Sequence, residues 1–177
     1  MYKDSSSKVK RIVITEEQIR RAVEKAGRYV DSKYDGTPIL LLSILKGSFV
    51  FLADLIREIT VPCEVDFMCV KSYQGTESTG TVTITKDIDR DISKYQVVIV
   101  EDIIDTGRTL SRVVDILKSR NPKSICVVTL LDKPSRRVVK FNADYTLFTI
   151  PDLFVVGYGL DYEERYRDLP YIAEFNP

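Results

Sequence analysis

The sequence predicts an α/β fold, a mostly parallel central sheet flanked by helices. The apolar runs at 38–45, 97–100 and 124–131 are continuous rather than alternating, as in strands covered on both faces. The first two lead through short polar turns into helix-patterned segments, and a strand follows each helix, the rhythm of a parallel sheet. The length of 177 residues suits one domain with a single core.

Taken in order, residues 1–10 are polar and lack the apolar segment of a secretory leader, so they are expected to be frayed. Arg11–Ile14 reads as a short strand. Thr15 then opens a helix: Thr15-x-x-Gln18 has the form of a capping box, and Ile14 with Ile19 makes a hydrophobic staple. Ile19, Ala22, Val23, Ala26 and Val30 form its apolar stripe, and Asp35-Gly36-Thr37-Pro38 closes it. Pro38–Leu45 is the first buried strand. It ends in Leu45-Lys46-Gly47, before an apolar helix at 48–59.

Cys63–Val70 is the next strand. The polar stretch 71–81 reads as a long hairpin loop, with Thr81–Thr85 as the returning strand. Long polar loops between good strands are often lids. Residues 87–94 read as a surface turn. After Val97–Val100, Leu110, Val113, Val114 and Leu117 fall at helical spacing, and Asn121-Pro122 stops that helix. Strands follow at 124–131, 145–150 and 171–175.

The stretch 96–110 carries the chemistry. Its apolar run ends in Glu101 and Asp102, with Asp105 and then Thr106-Gly107-Arg108-Thr109 close behind. Loops at the carboxyl ends of parallel strands are where ligands bind. Residues 106–109 offer free backbone N–H groups at a helix start, two hydroxyls and a glycine permitting close approach, which together make a phosphate cradle. Glu101 and Asp102 can accept hydrogen bonds from a diol or sit beside Mg2+, which prefers hard oxygen ligands. A ligand with a phosphate at one end and a diol nearby is a ribose 5-phosphate. As solvated loop charges these acids would be unremarkable one at a time. Three carboxylates within five residues, between a buried strand and a buried helix, repel one another and call for a cationic or hydroxylated partner.

Composition narrows the chemistry. Formal net charge is zero, which gives no electrostatic case for nucleic-acid or membrane binding. No apolar run approaches the roughly 20 residues that span a bilayer. Histidine is absent, so acid–base work falls to carboxylate, Lys, Tyr or water. Three cysteines, Cys63, Cys69 and Cys126, argue against a disulfide framework. Cys63 and Cys69, on one strand, would lie roughly 20 Å apart, too far to bridge. All three are expected to be buried and reduced, in a cytoplasmic protein.

The string Val98-Ile99-Val100-Glu101-Asp102-Ile103-Ile104-Asp105-Thr106-Gly107-Arg108-Thr109 resembles the phosphoribosyl-pyrophosphate signature of the type I phosphoribosyltransferases. Its wording is most similar to the hypoxanthine-guanine phosphoribosyltransferases. Leu45-Lys46-Gly47 resembles that family's pyrophosphate loop, and 150–162 resembles its purine site, so the likeness spans about 11–175. The resemblance implies the type I phosphoribosyltransferase fold, with a small hood built from about 11–15 and 151–177. It implies transfer of the 5-phosphoribosyl group to a 6-oxopurine, Mg2+ as cofactor, and a homodimer or homotetramer.

Residue by residue, the resemblance implies that Glu101 and Asp102 hold the ribose hydroxyls and metal, and that Asp105 is the general base. Asp105, Thr106, Gly107, Arg108 and Thr109 would bind the 5-phosphate, Arg108 mainly through its N–H. Leu45, Lys46 and Gly47, with a cis peptide before the lysine, would bind pyrophosphate together with Arg167. Ser72 and Tyr73 belong to the lid. Lys133 would donate to the purine 6-oxo group, Phe154 stack on the base and Val155 meet its edge. Asp161 would hold a second metal ion. Lys133 disfavours adenine, since an ammonium donates to a carbonyl and not to an amino group. Hypoxanthine, guanine and xanthine are left unranked.

Two other readings compete. A phosphoribosyl-pyrophosphate-sensing regulator of nucleic acid would share the fold, and neutral charge with short length disfavours it. A phosphoryl-accepting switch domain would share the strand-end acids and lysine. The phosphate cradle and the purine-site string disfavour that one.

Overall fold

The structure, a computed structural model, describes residues 8–72 and 82–177. In chain order its elements are β1 (Val9–Ile14), α1 (Glu16–Tyr34), β2 (Ile39–Leu45), α2 (Phe49–Glu58), β3 (Cys63–Ser72), β4 (Val82–Lys86), β5 (Gln96–Ile104), α3 (Arg108–Lys118), β6 (Ser124–Asp132), β7 (Tyr145–Thr149), β8 (Val155–Val156) and β9 (Ile172–Phe175). Among the described residues the strands form two sheets. The larger has the order β4-β3-β2-β5-β6-β7, parallel except for β3 with β4, and the smaller has the order β1-β9-β8.

The central strands are covered on both faces, as their uninterrupted apolar runs require. Leu41, Val98 and Val100 join a core beneath α1 and α2 with Val23, Val30, Phe51 and Leu55. Leu40, Leu42, Val97 and Ile99 face the other way, onto Leu110, Val113 and Leu117 of α3. So α2 and α3 lie on opposite sides of the sheet. The chain leaves β2 outward to β3, and leaves β5 in the opposite direction to β6. The crevice between the carboxyl ends of β2 and β5 is therefore the topological switch point, where open α/β sheets bind ligands.

Local signals account for much of this. Thr15 caps α1 in a full capping box, its hydroxyl accepting from Gln18 N and the Gln18 side chain accepting from Thr15 N. The apolar stripe predicted for α3 is buried throughout. Several expectations are corrected. β1 begins at Val9, inside the segment expected to be frayed, because it pairs with β9 and Asn176 N bonds Lys8 O. Lys71 and Ser72 continue β3 against Val82 and Thr83, so the strand outlasts its apolar run; the lid residue Tyr73 lies outside the described residues. The 87–94 turn is no mere surface feature, since Ile88 and Ile92 plug the α3-side core. Of the three free cysteines only Cys126 is fully buried, and Cys63 and Cys69 are half-buried.

Candidate active site

Two turns meet at the switch point. β2 ends in a turn over 46–48, and the Leu45–Lys46 peptide bond is cis. The turn is anchored from below: Ser48 Oγ donates to Ile44 O at 2.5 Å and lies 2.7 Å from Ser43 Oγ, both hydroxyls fully buried. From above, the backbone of the 157–160 turn rests on it. A Cβ on Gly159 would lie 2.1 Å from Gly47 O. On its other side stands Asp102, and a Cβ on Gly47 would lie 1.5 Å from Asp102 Oδ2. Only glycine fits between the acid and the hood.

The acid pair sits within β5, not in a loop after it. β6 continues to pair with β5 through Ile104 and Asp132, so the ladder holds Glu101 and Asp102 in extended backbone. Both residues are half-buried, and their carboxyl groups lie close enough to affect each other. Burial pushes the Glu101 carboxyl well above its usual range, and the neighbouring Asp102 charge pushes it further. Burial raises Asp102 to about 6, against the backbone N–H donated by Ile103 at 2.7 Å and the nearby Arg167 charge. Glu101 Oε2 is buried with no hydrogen-bond partner among the described residues. An orphaned carboxylate oxygen beside a second, half-buried acid suits a divalent cation or a hydroxyl donor.

This has a consequence for stability. A carboxyl whose pKa rises on folding opposes folding once it ionises. The penalty is absent below the unfolded carboxylate range near 4, grows as pH rises, and for Asp102 is complete above about 6. Unliganded Glu101→Gln is expected to melt about 2–4 °C above the parent near pH 8, the shift for roughly 1 kcal/mol in a chain of this length, with the gap closing towards pH 4. Superimposable melting curves near pH 8 would show that Glu101 bears no such penalty.

Beyond β5 the chain bends at Asp105, Thr106 and Gly107 and enters α3 at Arg108. Gly107 has φ +79°, the left-handed region, and a Cβ there would lie 2.9 Å from Arg137 Cδ and 3.2 Å from Val139 Cγ2. Its need for glycine thus comes from the backbone conformation and from the chain packed against it. The loop is tied from that side: Val138 N bonds Thr106 O, Lys133 N bonds Ile104 O, and Arg137 donates to Asp105 O and to the Asp132 carboxylate. Asp105 Oδ1 accepts from Arg136 Nε at 2.9 Å. Arg136 Nη1 reaches Asp152 Oδ2 at 3.3 Å, and Asp152 Oδ1 lies 3.8 Å from the Nζ of the buried Lys133.

The hood supplies the remaining groups. Phe154 is 45% exposed, its ring edge-on to Tyr162 at 5.8 Å and tilted on Phe175 at 6.1 Å. Val155 lies in β8, at the edge of the small sheet. Asp161 Oδ1 pairs with Arg167 at 2.9 Å, and its Oδ2 accepts from Glu164 N. Glu164 bridges Lys46 at 2.9 Å and Arg167 at 3.0 Å, and these two cations hold its carboxyl below the usual range. Arg167 also donates to Gly159 O, tying it to the turn over Gly47. Among the described residues no three Asp, Glu or Cys side chains cluster as a ready-made metal cage.

The structure therefore joins Leu45, Lys46, Gly47, Asp102, Asp161 and Arg167 around one crevice, and links Asp105 to Lys133 by way of Arg136 and Asp152. Sequence reasoning passed over Arg136, Arg137, Asp152, Gly159 and Glu164. A signal existed for the first two: adjacent arginines stand just beyond the strand-end Lys133-Pro134-Ser135.

The family model described as the phosphoribosyl transferase domain matches residues 8–163. A hypoxanthine phosphoribosyltransferase of Buchnera aphidicola is 50% identical, the match covering 93% of this chain and 94% of the relative. A hypoxanthine-guanine phosphoribosyltransferase of Streptococcus pneumoniae is 48% identical over 93% of this chain and 92% of its own. The crystal structure of a hypoxanthine phosphoribosyltransferase from Staphylococcus aureus superimposes with a TM-score of 0.95 at 46% identity, covering 100% of this chain and 97% of that one.

Proposed function

This chain belongs to the phosphoribosyl transferase family, and from that premise we propose that it serves purine salvage, joining the 5-phosphoribosyl group of phosphoribosyl pyrophosphate to hypoxanthine or guanine and releasing pyrophosphate. The single observation that carries the reading is the meeting at the switch point of the Gly47 turn with the half-satisfied acid pair Glu101 and Asp102. One side is shaped for anionic oxygens and the other for hydroxyls or a cation. Relatives of near-equal length and about half-identical sequence carry the names of such enzymes.

In this reading Glu101 and Asp102 accept from the ribose hydroxyls. The N–H groups and hydroxyls of 106–109, at the start of α3, fix the 5-phosphate. The Leu45–Gly47 turn, Lys46 and Arg167 hold pyrophosphate, which must displace Glu164 from the two cations it now bridges. Glu101 and Asp102 would hold Mg2+, with Asp161 near a second ion; when bound, the metal neutralises the departing pyrophosphate as a Lewis acid. Lys133 donates to the 6-oxo group, and Val155 meets the base edge through backbone groups of an edge strand. Asp105 accepts the proton that the purine loses as its ring nitrogen bonds to the anomeric carbon. The rest is positioning and electrostatics. The free thiols of Cys63, Cys69 and Cys126 suit the cytoplasm.

Phe154→Ala should weaken purine binding by about 1–3 kcal/mol, the scale of aromatic–base stacking. Calorimetry with inosine 5'-monophosphate would read it, and unaltered affinity would assign the ring to the hood's aromatic cluster alone. The reading as a whole is tested by assaying hypoxanthine, guanine, xanthine and adenine with phosphoribosyl pyrophosphate and magnesium. Nucleotide formation from hypoxanthine or guanine, but not adenine, is expected. No product from any 6-oxopurine would overturn it.

A further inference from the structure

We infer that Arg136, braced by Asp152, is a positioning residue: it fixes the direction of the Asp105 carboxylate and ties it to the turn that carries the Lys133 ammonium. The inference rests on the reading of Asp105 as general base and Lys133 as the 6-oxo donor. Four groups form a chain, Asp105 Oδ1 to Arg136 Nε at 2.9 Å, Arg136 Nη1 to Asp152 Oδ2 at 3.3 Å, and Asp152 Oδ1 to Lys133 Nζ at 3.8 Å. The local backbone makes this possible. β6 ends at Asp132, and Pro134–Arg136 forms a single 3-10 turn with Arg136 N bonded to Lys133 O. The turn brings the Arg136 side chain back towards the end of β5. There Lys133 N is already pinned to Ile104 O, one residue before Asp105. Arg137 holds the Asp105 backbone carbonyl, and Arg136 holds the Asp105 side chain.

Stability does not explain the chain of contacts. Asp105, Arg136 and Asp152 each leave about half of their side chain in water, where ion pairs contribute little. Their consequence is placement. A planar guanidinium spans two carboxylates in fixed directions, which a lysine cannot do. Asp105 is thereby held in one direction as it takes the proton that leaves the purine, when the ring nitrogen bonds to the anomeric carbon and the bond to pyrophosphate breaks. One oxygen, Oδ1, is occupied by Arg136, so Oδ2 is the acceptor.

The test is steady-state kinetics on Arg136→Ala, Arg136→Lys, Asp105→Asn and the Asp105→Asn/Arg136→Ala pair. Arg136→Ala is expected to lower kcat roughly 10- to 100-fold, the scale of misplacing a catalytic group. KM for phosphoribosyl pyrophosphate and the melting temperature should stay near the parent's. Arg136→Lys should recover part of the loss, because one ammonium reaches Asp105 but not both carboxylates. In the Asp105→Asn background, Arg136→Ala should add nothing. An unchanged kcat in Arg136→Ala, a multiplicative loss in the double variant, or a KM for phosphoribosyl pyrophosphate rising as far as kcat falls would each overturn the proposal. If Asp105→Asn itself is silent, it is the assignment of the base that fails.

Discussion

Asp105→Asn is expected to lower kcat roughly 10²–10⁴-fold, the range of general-base catalysis. The substitution isolates proton transfer because it is nearly isosteric. An asparagine Oδ1 can still accept from Arg136 Nε, which lies 2.9 Å from Asp105 Oδ1. Asp105 O remains bonded to Arg137, and the bend into α3 is set by Gly107 rather than by the carboxylate. What is lost is the ability to take a proton, and no histidine stands by to replace it. The loss belongs to the transition state, so kcat and kcat/KM should fall together while KM for phosphoribosyl pyrophosphate holds. Undiminished kcat would remove Asp105 from the role.

Gly47→Ala should be nearly as damaging for a wholly different reason. The added methyl would lie 1.5 Å from Asp102 Oδ2 and 2.5 Å from its Cγ, far inside contact distance. Asp102 cannot retreat freely, since Oδ1 accepts from Ile103 N at 2.7 Å and β5 is paired with β6 at this level. Nor can the turn rise, because the Gly159 backbone rests on Gly47 O. The site must open, separating the pyrophosphate turn from the acid pair. A fall in kcat/KM of about 100-fold, or roughly 2.7 kcal/mol, is expected. Adding Gly47→Ala to Asp102→Ala should then cost little more, since the obstructing carboxylate is gone. If the two losses multiply instead, the clash is not the cause.

Much of this was readable along the chain. The continuous apolar runs gave away strands buried on both faces, and Leu110, Val113, Val114 and Leu117 marked the buried stripe of α3. The Thr15–Gln18 box placed the start of α1. Each is a short-range pattern, in which a residue's own neighbours dictate its state. Strand ends were harder. β5 runs on through Glu101, Asp102 and Ile104 because β6 keeps pairing with it, and β3 runs through Ser72 because β4 does. The hydrogen bonds that extend these strands come from residues distant in the chain. Ile88 and Ile92 were misread for a related cause, since two apolar residues among charges show no period that would announce a core plug.

The residue types of the site were likewise written in order: a glycine turn after one strand, three acids and a phosphate loop at the end of another, a lysine after a third. Those follow from composition and spacing, which chemistry can read without coordinates. Their relations could not be read so. That a methyl on Gly47 would strike Asp102, that Gly159 closes over both, and that Arg136 ties Asp105 towards Lys133 are facts of packing between segments dozens of residues apart. The chain alone determined which groups are available and on which strand ends they stand. Folding decided which of them touch, because parallel strands bring their carboxyl ends together only once the sheet and its crossover helices have formed.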